Sequence, residues 1–204
     1  MPRAGITRER IIEEAARVAD DVGLERLTLS AVAKAFGVSL PSLYKHIDSL
    51  EGLRRDLALL GVRQLTAALA AASVGKARGD ALHAIARTYR QFAKAHPGLE
   101  AAAVRAPRAG DAEHEAAGEA AIATLLAALA GYQLRRRDAI DAIRMLRAAL
   151  HGFVTLELAG GYELPQPVST TYGRLIDGLD GIFSSWGAAL NEVADGVPPH
   201  RLRD

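Results

Sequence analysis

The 204-residue chain contains no cysteine, which excludes disulfide bonds and thiolate metal sites. Aromatic residues make up only 5% of the sequence, whereas hydrophobic residues make up 50% and are mostly alanine and leucine. Strand-forming β-branched residues are comparatively few. This composition predicts a folded protein that is rich in helices and poor in sheets.

Long apolar runs and a large excess of one charge are also missing. No uninterrupted apolar run of about 18 residues occurs, and the N-terminal segment MPRAGITRERII lacks the apolar stretch of a secretory signal. We therefore expect no membrane span and a cytoplasmic location. The formal net charge is only +1, so a nucleic-acid partner would have to be bound by a few well-placed groups.

The first 48 residues have the pattern of three short helices. Thr7 can cap a first helix that ends near residue 21, and Thr28 can cap a second that Gly37 ends. Ser39 can cap a third, where Pro41 is tolerated because the first N–H groups of a helix have no intrahelical partner. The tight turn between the second and third helices predicts a helix-turn-helix domain.

Helical periodicity continues through the rest of the chain, and no strand is apparent. A helix at 49–72 is expected to link an N-terminal domain, residues 1–48, to a second domain at 73–192, with a flexible tail at 193–204. We therefore predict an all-α fold of about nine helices. The remaining helices are predicted at 80–95, 98–105, 111–131, 138–159 and 169–190.

The third helix is the candidate element for DNA contact. Leu43 and Ile47 lie one turn apart and are predicted to point inward, which leaves polar residues on the outer surface. Such a short helix can enter the major groove of DNA. An alternative stays open, since Gly-Val-Ser is good turn chemistry in any protein and Tyr44 could belong to the core.

The segment TRERIIEEAARVADDVGLERLTLSAVAKAFGVSLPSLYKHIDSLEGLRRDL closely resembles the DNA-binding domain of the TetR family of transcriptional regulators. The matching features occur in order: G-L-x-x-L-T, A-x-x-x-G-V-S, S-L-Y-x-H and a helix that starts near S-L-E-G-L. The later segment LRAALHGFVTLELAGGY resembles a branch of the family with a WHG-type C-terminal domain, with Leu150 in place of the common tryptophan. The resemblance implies a helix-turn-helix domain followed by a helical ligand-binding and dimerisation domain.

The resemblance also implies which residues contact DNA. Many family members have a lysine where this chain has Leu50, so Arg54 or Arg55 would have to replace that phosphate contact. Arg3 and Arg8 are further candidates for backbone contacts. The residues expected to approach double-stranded DNA are Thr28, Ser30, Ser39, Leu40, Pro41, Ser42, Tyr44, Lys45 and His46.

The last two predicted helices are candidates for a dimer interface. Residues 172–190 form an apolar stripe that also contains four glycines, each of which costs about 1 kcal/mol relative to alanine within a helix. Such small residues allow another backbone to come close. The stripe could close the core of one monomer, but the resemblance favours pairing of helices 138–159 and 169–190 with those of a second subunit.

A binding pocket for an effector would need apolar walls and a few inward polar groups. His151 on an apolar helix is the most interesting polar candidate, although a histidine satisfied within the core is the alternative interpretation. The expected effector is a small hydrophobic molecule. Candidates for its site, all of which could instead be ordinary core residues, are Tyr89, Phe92, His96, Leu125, Leu129, Met145, His151 and Phe153.

The sequence offers no catalytic, metal or cofactor motif. Glu113, His114 and Glu115 form a charged stretch that we expect on a solvated helix face, and they lack the HExxH spacing of a zinc site. We predict a ligand-responsive regulator and not an enzyme: a repressor that binds a palindromic operator as a homodimer and is released by its effector. Two alternatives are an all-helical small-molecule carrier or enzyme without DNA binding, and a dimerisation module that acts through a protein partner.

Overall fold

The computed structural model describes residues 6–195, and side chains as far as residue 187. Within these residues there are nine α-helices, two short 3-10 helices at Leu24–Arg26 and Ala130–Tyr132, and no strand, so the predicted all-α fold is confirmed. The helices are α1 (Arg8–Val22), α2 (Leu29–Phe36), α3 (Leu40–Leu43), α4 (Leu50–Ser73), α5 (Arg78–Ala95), α6 (Pro97–Ala103), α7 (Ala112–Leu129), α8 (Arg136–Leu158) and α9 (Val168–Asp195).

Most helices begin and end within a few residues of their predicted bounds, but two differ in a way that matters. Helix α3 ends at Leu43, because the N–H groups of His46 and Ile47 both donate to the Leu43 carbonyl and close the helix with a tight turn. Helix α9 continues to Asp195, beyond the predicted end at residue 190. Residues 196–204 of the predicted tail lie outside the described part of the chain.

The chain divides into two compact units. The first comprises the residues up to 68 together with 90–121, and the second comprises 69–89 together with the residues from 122 onward. Helices α4, α5 and α7 each contribute residues to both units. The functional domain boundary predicted at residue 48 stays a prediction.

The first unit contains the predicted helix-turn-helix. The Thr28 hydroxyl oxygen accepts a hydrogen bond from the Ala31 N–H at 3.1 Å and so caps α2, and Gly37 ends α2 in the left-handed conformation, with φ +74°. The predicted inward residues of the next segment, Leu43 and Ile47, are fully buried in a core shared by α1, α2 and α4. Burial of these apolar side chains is the main stabilising contribution in this unit.

The second unit is held together by contacts of aromatic side chains from α8, from α9 and from the loop between them. The Tyr172 hydroxyl donates to the Ala86 carbonyl at 2.7 Å. The Phe153 ring packs on the rings of Tyr162 and Tyr172, with centroids 4.8 and 4.9 Å apart. These contacts fix α9 against α5 and α8 within this unit.

No single helix within residues 6–195 is long and apolar enough to cross a membrane. Only the pair Ala112–Tyr132 and Arg136–Leu158 meets the criteria of length and composition together, and it is bent by 111°.

Helix α6 crosses α1 at very short distance at Gly98. A Cβ atom on Gly98 would lie 2.4 Å from the Ala19 carbonyl carbon, and the Gly98 N–H donates to the Asp20 carboxylate at 2.8 Å. Because the obstacle is backbone, a side chain at residue 98 can be accommodated only by moving a helix.

We therefore expect Gly98→Ala to lower the free energy of unfolding by about 1–3 kcal/mol, as overpacking does. Chemical denaturation followed by circular dichroism measures this change. The matched control is Gly118→Ala on α7, where an added Cβ meets no described atom within 4 Å. Equal stability of the Gly98→Ala protein and the wild type would contradict the close approach.

Candidate functional site

The turn between α2 and α3 presents a short polar surface. Ser39 precedes α3 with an extended backbone, and its hydroxyl makes a hydrogen bond with the Ser42 hydroxyl at 2.9 Å instead of capping a backbone N–H. Pro41 lies in the first turn of α3, where its missing N–H breaks no hydrogen bond of the helix. The turn therefore holds Ser39 and Ser42 side by side at the start of α3.

The residues that follow α3 are accessible from outside. Tyr44 is 52% exposed, so its side chain does not belong to the core. Lys45 is exposed as well, and His46 is half-buried. A phenol, an ammonium and an imidazole thus follow the two serines within one surface region, and each of them can donate a hydrogen bond to DNA.

Leu40 departs from the expected arrangement. It is half-buried and packs against the apolar core of the first unit, so only part of its side chain is available to a thymine methyl group. The reason is that Leu40 lies one helical turn before Leu43 and so turns toward the same core. Its contact with DNA stays a prediction.

Thr28 and Ser30, at the start of α2, are both exposed. The Thr28 hydroxyl oxygen is used as an acceptor by the Ala31 N–H, but its own proton remains able to bond a phosphate. The capping role and the predicted phosphate contact are therefore compatible.

Of the four arginines predicted as candidates for phosphate contact, Arg3 lies outside the described residues, and the other three are engaged within the protein. The Arg54 guanidinium donates to the Leu24 and Glu25 carbonyls at 3.4 and 3.3 Å, and its buried Nε has no hydrogen-bond partner among the described residues. Arg8 and Arg55 bind carboxylates. Leu50 packs against the core. Replacement of the missing lysine contact by Arg54 or Arg55 stays a prediction, which would require either side chain to leave its partners within the first unit.

Arg55 lies at the centre of a group of ionic side chains. Its Nε and Nη2 donate to the two carboxylate oxygens of Asp111 at 2.8 and 2.6 Å, its Nη1 donates to Asp56 at 3.1 Å, and Nη2 also reaches Glu113 at 3.1 Å. Arg8 donates to Asp56 at 2.7 Å, and Arg63 donates to Glu113 at 2.9 Å. We call these six residues, Arg8, Arg55, Asp56, Arg63, Asp111 and Glu113, the charge network.

Two carboxyl groups of the charge network, Asp111 and Glu113, stay ionised to a lower pH than free carboxyl groups do. Hydrogen bonds from Arg55 hold the pKa of the Asp111 carboxyl well below its ordinary value, and Arg55 and Arg63 lower the pKa of Glu113 in the same way. Since both carboxyl pKa values are depressed on folding, their stabilising effect is complete above the ordinary carboxyl pKa. It is lost only as the pH falls toward the lowered values.

A half-open cleft of about 480 Å³ lies beside the charge network in the first unit. Its walls come from α1 and α4, with the start of α7 at one side. Most of the network residues line it together with the apolar side chains of Ile12, Leu59 and Leu60.

The candidate effector residues are divided between the two units. In the second unit, the Tyr89 hydroxyl lies 3.4 Å from His151 Nδ1, and Phe153 joins the cluster formed with Tyr162 and Tyr172. Leu129 is buried, whereas Leu125 and Met145 are half-buried. Tyr162 and Tyr172 were not among the predicted candidates, because one lies in a loop and the other was assigned to the apolar stripe.

The other two candidates, Phe92 and His96, lie in the first unit. Their rings are 5.2 Å apart, and His96 Nδ1 lies 3.4 Å from an Asp20 carboxylate oxygen. The two residues therefore stand beside the α1–α6 crossing.

His114 is buried, contrary to the expectation of a solvated face. Its side chain points inward between two exposed glutamates, because neighbouring residues of a helix point in different directions. Within the described part of the chain, no cluster of three or more histidine, aspartate or glutamate side chains is placed to hold a metal ion.

Comparisons with known proteins agree with this arrangement. Residues 11–57 match the model for bacterial regulatory proteins of the tetR family, and residues 82–179 match the model for the tetracyclin repressor-like C-terminal domain. The uncharacterized HTH-type transcriptional regulator Rv0681 of Mycobacterium tuberculosis is 40% identical over 158 residues, which are 77% of this chain and 72% of that protein. The uncharacterized HTH-type transcriptional regulator YobS of Bacillus subtilis is 34% identical over 82% of this chain and 87% of that protein.

Solved structures share the fold at lower identity. A protein of unknown function from Rhodococcus sp. RHA1 superposes with a TM-score of 0.70 and 24% identity, over 90% of this chain and 96% of that chain. A TetR variant of Acinetobacter baumannii, solved in complex with minocycline, gives a TM-score of 0.66 and 19% identity over 90% of this chain and 99% of that chain. The matching family models and the relatives Rv0681 and YobS describe transcriptional regulators and not enzymes. The chain therefore belongs to the TetR family of helix-turn-helix, DNA-binding transcriptional regulators.

Proposed function

We propose that this regulator is a ligand-responsive repressor that binds a palindromic operator as a homodimer and leaves it when a small-molecule effector binds. The observation that supports DNA contact at α3 is the exposed polar surface formed by Ser39, Ser42, Tyr44 and Lys45, fixed above the buried Leu43. Effector binding would change the separation or tilt of the two α3 helices of the dimer, so that they no longer fit successive major grooves.

Each group of this surface suits a different contact. The Tyr44 hydroxyl, His46 and the Thr28 and Ser30 hydroxyls are suited to phosphates, which fix position without reading sequence. Lys45 and Ser42 are suited to base edges in the major groove, where lysine bonds the acceptors of guanine. Operator preference would therefore be set mainly by Lys45 and Ser42.

The outer faces of α8 and α9 support the proposed dimer. Gly178 and Gly181 are exposed on α9, and an added Cβ at either would meet no described atom within 4 Å. Ile182, 38% exposed, lies beside them, and Leu156 on α8 is 52% exposed. An apolar surface with small residues is suited to close packing against a second copy, and a two-fold axis would place two α3 helices about 34–36 Å apart.

The aromatic cluster of the second unit supports a hydrophobic effector. The Tyr89 hydroxyl lies 3.4 Å from the His151 imidazole, and the Phe153 ring packs on two tyrosine rings elsewhere in the same unit. Small-molecule sites combine polar groups and apolar rings of these kinds. The Acinetobacter TetR variant, a protein of this fold, was solved in complex with the small molecule minocycline. We propose a small, largely apolar effector for this chain too.

The proposal is tested by selecting bound duplexes from random DNA and measuring their affinity at several salt concentrations. We expect one palindromic sequence, bound with an affinity that falls as the salt concentration rises, and its release by some members of a library of small hydrophobic compounds. Failure to select any sequence would favour the helical carrier. If DNA is selected but no compound releases it, the proposed effector response would be contradicted, whereas the role as a DNA-binding regulator would stand.

Lys45→Ala should lower the ratio of the affinity for the selected operator to the affinity for scrambled DNA. Loss of a base contact of this kind costs about 1–3 kcal/mol, so operator affinity should fall about 5- to 150-fold while binding to scrambled DNA changes little. Fluorescence anisotropy measures both affinities. Lys76→Ala, at an exposed lysine of the second unit, is the control; an equal loss on both DNAs would make Lys45 a phosphate contact instead.

Ile182→Arg should dissociate the dimer. In a two-fold interface the new charge would face a desolvated apolar surface near its own copy, so the dimer Kd should rise about 100-fold or more. Sedimentation equilibrium measures this constant. The control is Leu164→Arg, at a 77%-exposed position between α8 and α9. An unchanged dimer Kd in the Ile182→Arg protein would exclude this face of α9 from the dimer interface.

A further inference from the structure

The charge network joins three helices of the first unit that are distant in sequence. Asp56 of α4 is nearly buried, with 5% of its side chain exposed, and receives Arg8 from α1 and Arg55 from α4. Arg55 in turn binds Asp111, which immediately precedes α7. A continuous path of hydrogen-bonded ionic groups therefore runs from the first turn of α1, across α4, to the start of α7.

Asp111 has a second role that makes this path rigid. One of its carboxylate oxygens accepts the His114 N–H at 3.2 Å, and its carbonyl accepts the Glu115 N–H at 2.9 Å, so Asp111 is the N-cap of α7. The same carboxylate holds the Arg55 guanidinium by two charge-assisted hydrogen bonds. The start of α7 cannot shift along α4 without breaking this two-bond contact.

At its other end, the charge network reaches the helices that carry the DNA surface. Arg8 is the first residue of α1, and the buried face of α1, with Ile11 and Ala15, forms one core with Val32 of α2 and Leu43 of α3. Because close-packed side chains transmit displacement, a change in the position of α1 must also move α2 and α3.

We infer that Arg55 and Asp111 are positioning residues for DNA binding: without touching DNA, they hold α7, α4 and α1 in the one arrangement that presents α3 correctly. Exposed ion pairs usually contribute little to stability. The pair of Arg55 with Asp111 differs because two hydrogen bonds join the side chains and because Arg55 also binds the nearly buried Asp56. When hydrogen bonds of the charge network are broken, α3 adopts several orientations in place of one. Operator affinity then falls, because only a fraction of the molecules is competent to bind.

The test is a double-mutant cycle on operator affinity with Asp111→Asn and Arg8→Gln. Asparagine keeps the capping oxygen but loses the charge that binds Arg55. The two mutated side chains are linked in the charge network only through Arg55 and Asp56. We expect each single variant to weaken binding of the selected operator about 5- to 20-fold, and the double variant to bind no more weakly than the weaker single.

Three further results separate positioning from other roles. The salt dependence of binding should be unchanged, because no phosphate contact is removed. Arg55→Lys, which keeps the charge but loses the two-bond geometry, should behave like Asp111→Asn. Arg144→Gln, which breaks an exposed ion pair on α8, should bind like the wild type.

Multiplicative effects of the two substitutions, or unchanged or increased affinity, would overturn the inference. Hydrogen exchange of the free protein provides a measurement that does not need an operator. Asp111→Asn should speed amide exchange in α1 as well as in the first turn of α7, and a change confined to α7 would refute the coupling. If the wild type bound no DNA, the proposed function and the role in DNA binding would both fail. Hydrogen exchange would then still decide whether the charge network couples the start of α7 to α1.

Discussion

Burial of Leu43 and Ile47 is the constraint on which the DNA-binding surface depends. Helices shorter than about 12–15 residues are marginal in water, and α3 has only four. Its conformation is therefore stabilised by Pro41, by the turn at Gly37 and above all by the side chains of Leu43 and Ile47. These two side chains pack into a core formed with α1, α2 and α4. The polar residues around Leu43 and Ile47 do not have to stabilise α3, and their orientation follows from the burial of these two side chains.

The use of charge follows from the same arrangement. The chain is almost neutral, and its α4 arginines bind carboxylates or carbonyls of their own unit. Lys34 and Lys45 are exposed at the end of α2 and after α3. Operator binding by this surface would therefore rely on hydroxyl groups, helix N-termini and two lysines, so the number of phosphates neutralised per subunit should be small.

Local features of the fold were predictable because they depend on residues three or four positions apart. The caps at Thr7 and Thr28, the end of α2 at Gly37 and the inward side chain of Leu43 follow from spacing alone. The family resemblance supplied the rest of the functional prediction, since spacing left a core role for Tyr44 open.

Long-range partners were not predictable. Arg55 and Asp111 are 56 residues apart, and Arg8 and Asp56 are 48 apart, so periodicity contains no information about either pair. The carboxylate partners of Arg8 and Arg55, two candidates for phosphate contact, were therefore seen only in the structure. The prediction that His114 lies on a solvated face was wrong, because it was based on the two acidic neighbours of His114. Adjacent residues of a helix point in different directions, and His114 is buried.

The division of labour within α3 has a consequence for evolution. Leu43 is the one fully buried residue of this helix, while Pro41 and the flanking Ser39 and Lys45 are exposed and Ser42 is half-exposed. Substitutions at exposed positions usually change stability by less than about 0.5 kcal/mol. After a gene duplication, two copies of such a regulator could exchange these outer side chains and acquire separate operators, while both remained equally well folded throughout the transition.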